Sequence, residues 1–109
     1  MYPTGKVVSF ATVVFQNKVD KKLADVGERL KRLREDLSIA EEQCLHFDEL
    51  ANDARIRALV SETPSAERQH RDAARHADTM LQHKVRLRTQ IQHLEQQQDR
   101  LLDQYYSDV

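Results

Sequence analysis

Five histidines and one cysteine are the residues of this chain best suited to hold a metal ion or act as a nucleophile. A metal site needs its ligands within about 2.3 Å of one ion, which on a helix requires ligands a single turn apart. His76 and His83 stand two helical turns apart, about 10.5 Å along the axis. No HxxxH or CxxC pair occurs anywhere. No metal and no other cofactor is expected. Cys44 falls on an apolar stripe, where a small buried hydrophobe is the ordinary role; a reactive thiolate needs exposure and a positive neighbour. The carboxylates Glu41, Glu42, Asp48, Glu49 and Asp53 face outward or flank that stripe, with no cleft in which burial would tune them for acid–base work. Two glycines cannot build a Gly-rich phosphate loop, and Gly27 is an isolated interruption in a helical pattern. No catalytic residue is assigned. The chain is expected not to be an enzyme and to have no small-molecule substrate.

The elements that would position any site follow from periodicity. With 109 residues, 32% of them charged, and only three Tyr and three Phe, the chain supports one domain with a thin core. Alternating steps of four and three residues pick out Val19, Leu23, Val26, Leu30, Leu33, Leu37, Ala40, Cys44, Phe47, Ala51, Ala54 and Ala58. All twelve are apolar in a chain that is 39% hydrophobic. Chance would produce such a run about once in 100,000 trials before allowing for choice of frame. This is the a/d seam of a coiled coil.

The seam breaks at Ser61-Glu62-Thr63-Pro64-Ser65, where Thr63 suits an N-cap and Pro64 suits the first helical position, since its missing N–H has no partner there. A second seam follows: Ala66, His70, Ala73, Ala77, Met80, Lys84, Leu87, Ile91, Leu94, Gln98, Leu101 and Tyr105, nine of them apolar. Folding the chain at about Glu62 pairs Leu23 with Leu101, Leu30 with Leu94, Leu37 with Leu87, Phe47 with Ala77 and Ala58 with Ala66. A short loop forces neighbouring helices antiparallel. The expected fold is all-α: an antiparallel coiled-coil hairpin of helix 18–60, turn 61–65 and helix 64–106, each arm roughly 60 Å long. Alanines crowd the loop end and leucines the open end, so the helices should approach more closely near the loop. His70 and Lys84 fall opposite Ala54 and Ala40, whose small size leaves a polar side chain room to bend toward water.

Residues 1–17 are different. Pro3 and Gly5 precede the β-branched and aromatic run Val7 to Phe15, which favours a strand or an extended segment. Extension of the helix and a disordered segment are the other states open to residues 1–15. Asn17 is a candidate N-cap, starting the first helix near Lys18. The apolar run falls short of the ~20 residues a membrane-spanning helix needs, so no membrane insertion is expected. Lys6 followed by apolar residues resembles the start of a signal peptide, but no small-x-small cleavage pattern follows. One cysteine cannot form an internal disulfide, and the cytoplasm is the expected compartment.

With the seam assigned, three groups of residues remain as candidate binding sites. At the loop end, Ile56, Leu59 and Val60 lie off the seam beside Arg55, Arg57 and Arg68, an apolar cluster with a positive rim that suits a docking tip. At the open end, Leu102 and Tyr106 are available to the apolar segment that carries Val8, Phe10 and Val14. The basic residues Lys18, Lys21, Lys22, Arg29, Lys31, Arg32 and Arg34 form the third group, interleaved with Asp20, Asp25, Glu28, Glu35 and Asp36. The chain's 17 basic and 18 acidic residues give a net charge of −1, which argues against wholesale phosphate binding. The positions just before each a site of the second helix, Gln69, His76, His83, Gln90, Gln97 and Gln104, make a neutral polar flank. Such a flank is either a solvated edge or a surface for another helix. The expected function is that of a non-enzymatic adaptor or scaffold with protein partners, homodimerisation being one route to covering off-seam residues such as Leu45, Leu81 and Val85. The alternative is a small regulator on the transcription or translation machinery, touching nucleic-acid phosphates through the basic stretch.

Overall fold

Two helices and a two-residue turn account for residues 10–108, which the computed structural model describes, with side chains described for 18–107. The first helix, α1 (Phe10–Ser61), has 52 residues and the second, α2 (Pro64–Asp108), has 45. They pack as the antiparallel helical hairpin that the paired seams require.

The start of α1 differs from expectation. Asn17 lies inside the helix rather than capping it, and α1 reaches back to Phe10, so residues 10–15 are helical and not a strand. An isolated strand has no neighbour to satisfy its backbone N–H and C=O groups, whereas a helix satisfies them internally. Extending a helix already nucleated costs a Val, Thr or Phe only about 0.5 to 0.7 kcal/mol of propensity each relative to Ala. Residues 1–9, and with them Val8, lie outside the described residues. At the other end α2 continues to Asp108, two residues beyond the expected limit.

The turn is tighter than the expected five residues: only Glu62 and Thr63 are non-helical. Glu62 takes a left-handed conformation, φ 53°, and its amide donates to the Ala58 carbonyl at 3.0 Å. This is the αL manner of ending a helix, carried out here by a residue other than glycine. Thr63 then caps α2. Its hydroxyl oxygen accepts the Ala66 amide at 3.1 Å, its carbonyl accepts the Glu67 amide at 3.1 Å, and Pro64 occupies the first helical position. Glu67 places an acidic side chain in the first turn of α2, where the helix dipole favours negative charge.

The chain divides into two compact units, one formed by Met1–Arg32 with Ile91–Val109 and the other by Leu33–Gln90. In the first unit the buried residues are Val19, Val26, Leu30, Ile91, Leu94 and Leu101, with Leu30 the most enclosed side chain at 1% exposure. In the second they are Ala40, Cys44, Ala54, Ala66 and Leu87, smaller side chains that suit closer helix packing. Every seam position of both helices is buried or half-buried, including His70, Lys84 and Gln98. Beyond the seams, only Gly27 and Leu102 among the described residues escape full exposure. The core is therefore one continuous stripe per helix, and no described side chain buries an unsatisfied polar atom.

Candidate interaction surfaces

A two-helix fold leaves each helix with more than half its circumference in water, so the heptad phase decides which exposed residues share a face. In α1, Leu30, Leu37, Cys44, Ala51 and Ala58 hold the a position. Positions e and b then lie to one side of the seam, g and c to the other, and f directly away from it. In an antiparallel pair, e of one helix flanks e of the other. The depression lined by Arg55, Ala58 and Leu59 of α1 and by Glu67, His70 and Arg71 of α2 follows this rule, its outer lining coming from e and b positions only.

At the loop end, Ile56, Leu59 and Val60 are 47%, 65% and 79% exposed. Their spacing of three and four residues puts them side by side on the outward surface of α1. Arg55 and Arg57 flank them at e and g, all exposed, and the Arg55 guanidinium donates to the Asn52 side-chain oxygen at 2.9 Å. Arg68 is not brought to this cluster. It takes the f position of α2, which points away from α1. Arg71 takes its place, sharing with Leu59 and Arg55 the depression that also contains Glu67 and His70. The sequence contains the signal for this: Arg71 directly follows the a-site His70, as Leu59 directly follows the a-site Ala58.

At the open end Leu102 is half-buried and Tyr106 is 72% exposed, its ring edge-to-face with Tyr105 at 5.6 Å. Phe10 and Val14 belong to the backbone of α1, but their side chains lie outside the described residues, so their meeting with Leu102 and Tyr106 does too.

The basic stretch is exposed throughout. Its residues fall on five different heptad positions: Lys18 and Arg32 at c, Lys21 at f, Lys22 and Arg29 at g, Lys31 at b and Arg34 at e. Acids interrupt the c, f and g columns at Asp25, at Glu28 and Glu35, and at Asp36. Arg32 lies 3.9 Å from Glu28, a pair with both side chains more than half exposed and therefore worth little in stability. A groove that tracks a phosphate backbone presents one continuous positive column, which this distribution lacks.

On the g and c side of the second unit, Phe47 meets His46 edge-on at 5.6 Å and His76 at 6.0 Å. These contacts account for two histidines as packing partners of a half-buried seam aromatic. Cys44 is buried in the seam. Among the described residues no group of three or more His, Cys, Asp or Glu is placed to hold a metal ion. No helix among them is long and apolar enough to cross a membrane. No family model, curated protein or solved structure matches the chain.

Proposed function

We propose that this protein is a non-enzymatic coiled-coil adaptor or scaffold, working in the cytoplasm through protein partners. The observation that carries the reading is the outward patch of Ile56, Leu59 and Val60, three large aliphatic side chains left in water beside the turn, with Arg55 and Arg57 on its flanks. Contiguous exposed aliphatic groups cost free energy in a free monomer and are regained on docking, and a charged rim supplies orientation. The cap and tight turn hold the end of the hairpin in a fixed geometry, so a docking partner would meet a rigid surface and lose little conformational freedom.

The experiment replaces Leu59 and Val60 together with Asp and compares photo-crosslinked products in cells, with the crosslinking residue placed at Ile56. Discrete adducts that vanish in the double variant, with helicity unchanged by circular dichroism, support the reading. Adducts that persist unchanged would remove the patch from consideration. The regulator reading separates by salt: phosphate contacts weaken steeply as salt rises, whereas an apolar docking patch is nearly indifferent.

A further inference from the structure

We propose that a second copy of this chain docks on the e/b face of the Leu33–Gln90 unit, antiparallel to the first, about a two-fold axis level with Glu41 and His83. The face is fixed by the depression near the turn, which Leu59, Glu67 and Arg71 line together. Two heptads further from the turn, the equivalent positions are Leu45, Leu81 and Val85, which are 66%, 48% and 51% exposed. Two heptads preserve phase, so these three aliphatic side chains share that face. Leu81 and Val85 also line a surface depression with Gln82 and Arg86, on the outward edge of this face.

The charges around them identify the occupant. Along α2 the face reads Asp78, Leu81, Val85, Arg88 at spacings of three, four and three. Reversed against itself, this stripe sets Asp78 opposite Arg88 and Leu81 opposite Val85, twice over. The same axis on α1 brings Arg34, which already has a partner within its own chain, level with Asp48, and leaves one like-charge contact, Glu41 facing its own copy on the axis. A two-fold parallel to the helices would instead place Arg34 and Arg88 against each other and Asp48 against Asp78. The polarity of charge therefore selects the antiparallel arrangement, a self-complementary surface of the kind a two-fold dimer requires. The Gln82 amide donates to the Asp78 carboxylate at 2.9 Å, which steadies one member of the charge pair.

The matched region is roughly 20 Å square, about 400 Å² per copy and ~800 Å² in total, below the range of stable interfaces. The dimer should be weak and dependent on concentration. Leu59 shares this face but lies two heptads nearer the turn than Leu45, outside the matched region, so the adaptor reading and this inference are tested by different variants.

Sedimentation velocity of the full chain across a wide concentration range, from micromolar to hundreds of micromolar, tests it. A reversible monomer–dimer equilibrium is expected, with the dissociation constant raised at least tenfold by Leu81→Asp and by Arg88→Asp. The doubly swapped variant, Asp78→Arg with Arg88→Asp, should return to within a few-fold of the original, and Glu41→Gln should tighten the dimer. All these positions are exposed, and circular dichroism of Leu81→Gln checks that the hairpin survives change there. A protein that stays monomeric throughout overturns the proposal. So does a dimer indifferent to Leu81→Asp, which would be held by another surface, or a charge swap that fails to restore association.

Discussion

The Thr63 hydroxyl accepts the Ala66 amide at 3.1 Å, closing the first turn of α2 at the one place where the described residues leave helical geometry. Removing that acceptor leaves an amide of the first turn without its partner in a two-residue turn that has no other cap. Thr63→Ala should lower stability by about 1 kcal/mol, and Thr63→Ser should recover most of it. Urea denaturation followed by circular dichroism measures both; equal midpoints for the Ala variant and the parent would show that the cap is energetically idle.

The residue before the cap is under a different constraint. Glu62 holds φ 53°, where a side chain bearing Cβ pays about 1 to 2 kcal/mol. Glycine pays nothing there but adds unfolded-state freedom worth about 0.5 to 1 kcal/mol. Relief exceeds the entropy term, so Glu62→Gly should stabilise the hairpin by about 0.5 to 1 kcal/mol, read as a raised thermal midpoint. A lowered midpoint would mean that the Glu62 side chain makes a compensating interaction.

Gly27 sits in the interior of α1 at a half-buried e position, and a Cβ built there meets nothing within 4 Å. An open site in a helix interior gains the full propensity difference between glycine and alanine. Gly27→Ala should raise stability by about 0.8 to 1 kcal/mol without altering helix packing. Destabilisation would point to a function for the gap, such as admission of another chain.

Much of this fold could be read directly from residue spacing. Val19 to Ala58 and Ala66 to Tyr105 kept phase through a dozen positions each, and a register that sustained leaves one way to bury all the apolar groups. The turn was legible because Thr63 and Pro64 are chemically specific to a helix start. Residues 10–15 were not, because strand preference of Val and Phe is a preference for a neighbouring strand, which the described residues do not supply. At the loop end the exposure of Ile56, Leu59 and Val60 was legible from their lying off the seam, whereas nearness to the turn alone does not place Arg68. Heptad phase, applied to α2 as strictly as to the seam, assigns that place to Arg71.

The same phase argument separates what stabilises this protein from what it presents to water. Leu30 is 1% exposed and Leu59 is 65% exposed, yet both lie on α1 as leucines in unbroken helix. Truncating Leu30 to Ala removes buried methyl groups and opens a cavity that neighbouring side chains fill only in part, which costs about 3 kcal/mol. Truncating Leu59 removes groups already in water and should change stability by less than about 0.5 kcal/mol. A thermal or urea series on Leu30→Ala and Leu59→Ala therefore checks the assignment of core against surface. If Leu59→Ala cost as much as Leu30→Ala, the loop-end patch would be structural, and the case for a docking surface there would collapse.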